Sequence, residues 1–341
     1  MKIVLISLYN YGALGGRAIF SNLKTNGIDA SLISFKDLSV NNIKPPTTTE
    51  TKKLIELLKK LNPDIVGISF TSSYFKIATV LTHEIKRELN ALVVWGGVHP
   101  TICPRECIAY ADVVCIGEGE MPMLELAEKL SKNKRIDRIK NLWVNTRTGI
   151  RKNRIRPLIQ DLDKLPLPVF DENNEYFIED NKVYRGIPTK RATTYTMLTA
   201  RGCPFQCSYC QNSSLRKIYP QGTKFVRRRS VDSVINEIIR AKKVFKEMRK
   251  CFFVDEVFAY DEKWIDEFLI KYKEKVNLPF EIEFYPTLVK ESIVRKLKDA
   301  GLREAAMGIQ SGSKRMLYDV YKRPTPQSSI LNAEKYFQSM G

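Results

Sequence analysis

The segment Arg201-Gly202-Cys203-Pro204-Phe205-Gln206-Cys207-Ser208-Tyr209-Cys210 places three cysteines within eight residues, in CxxxCxxC spacing, directly after the strand-forming run Tyr195 to Ala200. Three thiolates in one short loop can each hold a different iron of a 4Fe–4S cluster, which leaves the fourth iron open to a substrate or cofactor. A structural zinc site usually takes four protein ligands. No local histidine or fourth cysteine completes one here, and Cys251 could do so only by long-range folding. The remaining cysteines, Cys103, Cys107, Cys115 and Cys251, are scattered. Seven is an odd number, and no export signal precedes them, so a disulfide framework is not expected. Only His83 and His99 are present, which excludes a His-rich metal site.

Downstream of the loop, strand and helix patterns alternate. Ser230 to Lys246 reads as a helix with Ser230 as N-cap, Cys251 to Val254 as a strand ending at Asp255-Glu256, and Glu262 to Lys273 as a helix. Phe280 to Tyr285 reads as a strand, Leu288 to Ala300 as a helix stopped by Gly301, Glu304 to Ile309 as a strand ending at Gln310-Ser311-Gly312, and Ile330 to Ser339 as a helix. Four strand–helix units running one way are the beginning of a β/α barrel.

Upstream, a first alternating array spans residues 1–135. Strands are expected at Ile3 to Leu8, Asp29 to Phe35, Asp64 to Phe70, Ala91 to Trp95 and Asp112 to Ile116, with helices between them and from Met121 to Leu130. This predicts a doubly wound parallel sheet, whose ligands bind beyond the carboxyl ends of the strands. The loops there are small and polar: Thr71-Ser72-Ser73, Gly96-Gly97-Val98-His99-Pro100-Thr101 and Gly117-Glu118-Gly119-Glu120. They suit a large flat or nucleotide-like ligand, although glycines also close tight strand–helix turns. The loop after the first strand, Gly12-Ala13-Leu14-Gly15-Gly16, is not the dinucleotide fingerprint. Residues 136–190 read as a connector: a hairpin of Asn141–Val144 and Arg154–Ile159 around Thr148-Gly149, then a Pro-containing extended stretch at 161–168.

The chain has 341 residues, 43% hydrophobic and 28% charged, which excludes a mainly disordered or collagen-like protein. No apolar run approaches the ~18–20 residues that span a bilayer, and a cytoplasmic protein is the default expectation. The formal net charge is +18, most of it after residue 150. A basic balance favours anionic partners, but scattered lysines on solvated helix faces produce the same number.

The cysteine loop, with its Gly-Cys-Pro opening and Tyr209 before the last cysteine, resembles the radical S-adenosylmethionine (SAM) superfamily. Arg227-Arg228-Arg229-Ser230 with Val234 and Glu237, Asp255-Glu256 and Gln310-Ser311-Gly312 continue the resemblance. The first array resembles the cobalamin-binding domain fused ahead of the barrel in one subgroup. The resemblance implies that Cys203, Cys207 and Cys210 hold a 4Fe–4S cluster whose open iron chelates SAM. The reduced cluster then yields methionine and a 5′-deoxyadenosyl radical. It places Tyr209, Asp255, Glu256, Gln310 and Ser311 at the SAM site, and Ser69, Thr71, Gly96, Gly97, Gly117 and Gly119 around cobalamin.

The subgroup's usual chemistry implies methyl transfer to an unactivated carbon or phosphorus of a small-molecule or lipid substrate. An electron donor such as flavodoxin or ferredoxin is implied as well. No residue is assigned as acid or base. The histidine that ligates cobalt in other cobalamin proteins is replaced by Tyr9-Asn10-Tyr11-Gly12, and His99 reads as structural. The family usually has six barrel units, so a missing carboxyl-terminal half or a partner subunit is expected. The alternatives are a radical SAM enzyme without cobalamin, acting in ring closure or rearrangement, and an accessory binding subunit.

Overall fold

The computed structural model describes residues 1–38 and 44–339, and they form two compact units, residues 1–157 with 165–189 and residues 158–164 with 190–341. The first unit runs β1 (Lys2–Leu8), α1 (Leu14–Thr25), β2 (Asp29–Phe35), α2 (Thr48–Leu61), β3 (Ile65–Ser69), α3 (Phe75–Glu88), β4 (Leu92–Gly96), α4 (Val98–Ile102), α5 (Pro104–Cys107), β5 (Val113–Cys115), α6 (Glu120–Ser131), β6 (Leu142–Thr146), β7 (Gly149–Lys152), β8 (Glu175–Glu179) and β9 (Lys182–Arg185). The second runs β10 (Thr194–Met197), β11 (Ala200–Arg201), α7 (Gln211–Lys217), β12 (Arg227–Arg228), α8 (Val231–Val244), β13 (Lys250–Phe253), α9 (Glu262–Lys275), β14 (Phe280–Phe284), α10 (Glu291–Asp299), β15 (Leu302–Met307) and α11 (Gln327–Gln338).

In the first unit, β1 reads Lys-Ile-Val-Leu-Ile-Ser-Leu and is buried from Ile3 onward. A continuous apolar run of this kind belongs to a parallel strand covered on both faces. The nine-stranded sheet has the order β7-β6-β5-β4-β3-β1-β2-β8-β9, and β1 pairs in parallel with both β2 and β3. Its five central strands therefore have the flavodoxin-like order 2-1-3-4-5, which opens a crevice at the carboxyl ends of β1 and β3. Helix α2 starts with a capping box in which Thr47 and Glu50 satisfy each other's amides.

Residues 136–190 differ from the expected connector. Strands β6 and β7 extend one edge of the sheet by antiparallel pairing, with β7 lying at 149–152 rather than 154–159. Strands β8 and β9 extend the other edge, β8 running parallel to β2. Buried charge pairs fix this second edge. Arg17 on α1 grips the Glu175 carboxylate at 3.0 and 2.7 Å, and Lys36 bonds both Glu50 and Glu179.

The second unit has a four-stranded sheet, β10-β13-β14-β15, parallel throughout and in chain order. Ser230 caps α8 by accepting from the Ser233 amide at 3.1 Å, and Asp261 caps α9 through the Trp264 amide. On β14, Phe280, Ile282 and Phe284 are buried while Glu281 and Glu283 lie on the opposite face. A strand that alternates carboxylates with aromatics does not have the apolar interior layers of a closed, packed barrel. Strand β15 pairs with β14 and ends the sheet, and an apolar groove lined by Leu302, Met307, Ile330 and Phe337 runs beside it. No helix of the described residues is long and apolar enough to cross a membrane.

Candidate cluster and cofactor sites

In the second unit the cysteine loop joins β11 to α7. Gly202 opens it with φ +88°, and a Cβ there would come within 2.4 Å of the Phe225 carbonyl oxygen, so only glycine fits. Strand β11 pairs antiparallel with β12, Ala200 opposite Arg228, which anchors the loop's entry. At its exit the Cys207 carbonyl accepts from the Cys210 amide at 3.1 Å and from Ser213 Oγ at 2.8 Å. These contacts set the backbone at the loop's entry and exit.

Cys207 is buried, and Cys203 and Cys210 are half-buried. Among the described residues one trio gathers its donor atoms within 4.8 Å of one another, and it is not this one. Sulfurs that share a single tetrahedral ion sit ~3.8 Å apart, given Zn–S bonds of about 2.3 Å. A wider spread fits three corners of a polynuclear cluster, and the donor set is the all-thiolate one that 4Fe–4S clusters take.

Sequence reasoning missed the clamp on this loop, which comes from the chain after β15. Ser208 donates its amide to the Tyr321 carbonyl at 2.8 Å and its hydroxyl to the Val320 carbonyl at 2.7 Å. Arg323 is buried; its Nη1 reaches Cys207 Sγ at 3.6 Å and its Nη2 donates to the Gly308 carbonyl at 2.8 Å. Its guanidinium lies 4.0 Å above the Tyr285 ring, and Phe205 of the cysteine loop stacks near that ring with centroids 3.6 Å apart. Thr325 Oγ1 bonds Tyr285 Oη at 3.2 Å. No local sequence signal marks Arg323, which lies 116 residues beyond Cys207.

The expected SAM-site residues take different positions. Tyr209 is half-exposed and packs edge-on against Tyr321. Gln310 and Glu256 are exposed and Ser311 is half-buried, and Gln310 adopts φ +67° at the end of β15. Asp255, also expected at the SAM site, is fully buried. One carboxylate oxygen accepts from the Thr199 and Ala200 amides at 2.7 and 2.8 Å, and the other from the Thr199 hydroxyl. Burial pushes its carboxyl up, opposed by Thr199, by the Arg228 charge and by the two amides. Asp255 thus ties the end of β13 to the strand that leads into the cysteine loop. Partial desolvation also pushes Glu283 up, helped by the charges of Glu256 and Asp255. Glu283 is a second carboxylate at this end of the sheet that the motif reading did not select.

The arginine run braces the same region. Arg228 donates to the Val257 and Phe258 carbonyls and lies 4.4 Å over the Trp264 ring. Arg229 pairs with Glu237, which also accepts from Tyr195 Oη at 2.9 Å.

In the first unit the loops after β3, β4 and β5 gather at the switch-point crevice. Ser69 is half-buried and Thr71 exposed. The Gly96-Gly97 turn lies flat on the exit of β3: the Phe70 amide donates to the Gly96 carbonyl at 3.2 Å. Gly97 has φ +97°, and a Cβ there would sit 2.8 Å from the Phe70 oxygen, so the close approach requires glycine. A Cβ on Gly96 would meet the Cys115 Cβ at 3.9 Å, an ordinary contact, so sterics alone do not demand glycine there. The Gly117 amide donates to Thr101 Oγ1 at 3.0 Å, tying the β5 loop to the β4 loop.

Gly119 is the N-cap of α6. It is buried, and a Cβ would lie 2.6 Å from Ile19 Cδ1, so it serves the packing of α1 against α6. In the first loop Asn10 Oδ1 accepts from the Ala13 amide at 2.7 Å, and Tyr9 stacks on Tyr74 at 4.5 Å. This floor of small polar loops and flat aromatics offers no imidazole at the end of β1. It fits a broad ligand held by backbone and hydroxyl groups.

Comparison with known proteins agrees with both halves. Residues 3–127 match the B12 binding domain and residues 197–341 match the radical SAM superfamily. The chain belongs to the radical SAM superfamily, in the branch that carries an amino-terminal B12-binding domain. It is 31% identical over 285 residues to an uncharacterised methyltransferase of Pyrococcus horikoshii, covering 81% of this chain and 58% of the relative. It is 25% identical over 328 residues to cytidylyl-2-hydroxyethylphosphonate methyltransferase of Streptomyces wedmorensis, covering 84% and 58%. The fold matches the radical SAM methyltransferase TsrM of Kitasatospora setae with cobalamin and a [4Fe–4S] cluster bound, at TM-score 0.75, 17% identity, and 99% and 67% coverage. It also matches the cobalamin-dependent SAM radical enzyme OxsB with aqua-cobalamin bound, at TM-score 0.74, 18% identity, and 100% and 48% coverage. The chain thus spans 58% of the length of both sequence relatives.

Proposed function

We propose that this chain is the cofactor-carrying part of a cobalamin-dependent radical SAM enzyme whose reaction is methyl transfer to an unactivated carbon or phosphorus. The observation that carries the reading is one chain with two separately built sites: a three-cysteine loop braced by Gly202, Asp255 and Arg323, and a flavodoxin-like switch-point crevice with no histidine at the end of β1. The methyltransferase relatives favour methyl transfer as the reaction class. The substrate is a small molecule or lipid, and the electron donor is a flavodoxin- or ferredoxin-type protein of the cytoplasm.

When bound, the cluster supplies a low-potential electron to SAM and cobalamin supplies a methyl group. Cys203, Cys207 and Cys210 hold three irons and leave one for SAM. Tyr209, Glu256, Gln310 and Ser311 remain available beside the loop for the cofactor's polar groups. Ser69, Thr71, Gly96, Gly97 and Gly117 would border the corrin.

The test is SAM binding to the reconstituted, reduced cluster by electron paramagnetic resonance. An open iron predicts that SAM changes the cluster's signal. A signal indifferent to saturating SAM would overturn the assignment.

Arg323 adds a second expectation. A buried cation donating toward the Cys207 sulfur stabilises the more negative, reduced cluster. Arg323→Met should therefore lower the midpoint potential in a potentiometric titration, with Arg323→Lys in between. An unchanged potential in Arg323→Met would mean that the residue only braces the loop.

A further inference from the structure

We propose that the first unit carries a second metal site, made by His99, Cys103 and Glu106, that takes one zinc-class divalent transition-metal ion. Their donor atoms all lie within 4.8 Å of one another, the one such trio among the described residues. This inference stands apart from the cluster and cobalamin assignments and survives if either fails.

The chain builds the site locally. His99 lies on α4, and the Cys103 amide donates to its carbonyl at 2.8 Å, which brings Cys103 one turn on. Pro104 then starts α5, and Glu106 follows within that short helix. The segment is held from both sides. The His99 amide reaches the Phe70 carbonyl, Thr101 Oγ1 donates to the Gly97 carbonyl at 2.7 Å, and the His99 ring packs on Phe75 at 5.0 Å.

The histidine is the decisive member. Its side chain is only 8% exposed, and Nε2 has no hydrogen-bond partner. A buried polar atom without a partner is costly and calls for an explanation. The Glu106 carboxylate oxygen is 3.6 Å from Nε2, longer than a hydrogen bond. Two ligands of one tetrahedral zinc, with bonds of about 2.0–2.3 Å, stand ~3.3–3.8 Å apart. The other ring nitrogen, Nδ1, is bonded to Ser72 Oγ at 2.9 Å. When Nδ1 donates there, Nε2 presents its lone pair, the arrangement by which an outer partner orients a metal-ligating histidine.

Nitrogen, sulfur and carboxylate donors together suit zinc, and Co2+ can stand in for it. The Cys103 proton leaves on binding. Cys103 is half-buried and the Glu106 side chain is 53% exposed, so the ion has an entry path and a fourth position open to water.

The test uses the whole chain and the metal alone. Zinc is quantified on cluster-loaded protein. Co2+ is titrated spectroscopically into the C203A/C207A/C210A variant, in which the cluster thiols are gone. The expected result is about one zinc per chain, and in the variant one equivalent of Co2+ with a thiolate charge-transfer band that zinc displaces. Cys103→Ser should lose the band, and His99→Gln should weaken binding at least about 100-fold. Ser72→Ala and Glu106→Gln, both at exposed residues, should weaken it roughly 10-fold. Absence of stoichiometric metal in both preparations would overturn the proposal, as would binding indifferent to Cys103→Ser and Glu106→Gln in variants of unchanged circular dichroism.

Discussion

Cys207→Ala prevents cluster assembly, so that iron after anaerobic reconstitution falls from about four per chain to a trace. Cys207 is the buried member of the trio, and its sulfur is the one that Arg323 addresses at 3.6 Å. The loop backbone does not depend on that thiol. The Cys207 carbonyl still accepts from Cys210 and Ser213, and Ser208 still bonds the chain at Val320 and Tyr321. The fold should therefore persist, with unchanged circular dichroism, while the cluster is lost. Cys251 is the control. It is buried in β13, and burial pushes its thiol up to about 12, so it stays a packed neutral group. Cys251→Ala should keep the iron. Loss of iron in Cys251→Ala with retention in Cys207→Ala would reverse the assignment.

Asp255→Ala should destabilise the second unit by about 3–5 kcal/mol, because it strips a buried charge partner from Arg228 and orphans the Thr199 and Ala200 amides. Those amides lie at the entry to β11, the strand that leads into Gly202 and the cysteines, so the loss of stability should appear together with poor cluster retention. Asp255→Asn keeps one acceptor oxygen for the two amides and should cost about 1–2 kcal/mol. Urea unfolding of the apo chain measures both. Equal, small effects of the two substitutions would mean that the carboxylate does not hold the loop.

Much of this was legible in the sequence. The apolar run at 3–8, the Ser230 cap, the small polar loops and the CxxxCxxC spacing are local features, and local chemistry dictates them. The edge hairpin β8–β9 was missed although its signal is present: alternating Glu175 to Glu179 and Lys182 to Arg185 flank Asp180-Asn181, both at positive φ, a two-residue turn. The prolines at 166 and 168 and the weak propensity of a half-charged edge hid it. The β7 register slipped because Thr146 and Gly149, rather than Thr148-Gly149, flank the turn. The burial of Asp255 is not a local property, because an acidic residue at a strand end reads the same in the sequence whether or not it is enclosed. The Arg323 and His99 side chains are placed by contacts across 116 and 27 residues, which no local pattern encodes.

Whether one chain holds both cofactors is measured directly by anaerobic reconstitution with iron, sulfide and hydroxocobalamin, followed by iron and cobalt analysis. About four irons and about one cobalt per chain are expected, the iron lost in the Cys203, Cys207 and Cys210 alanine variants and the cobalt retained in them. Cobalt near zero beside a full cluster would contradict the cobalamin assignment, and failure to hold iron would contradict the cluster assignment.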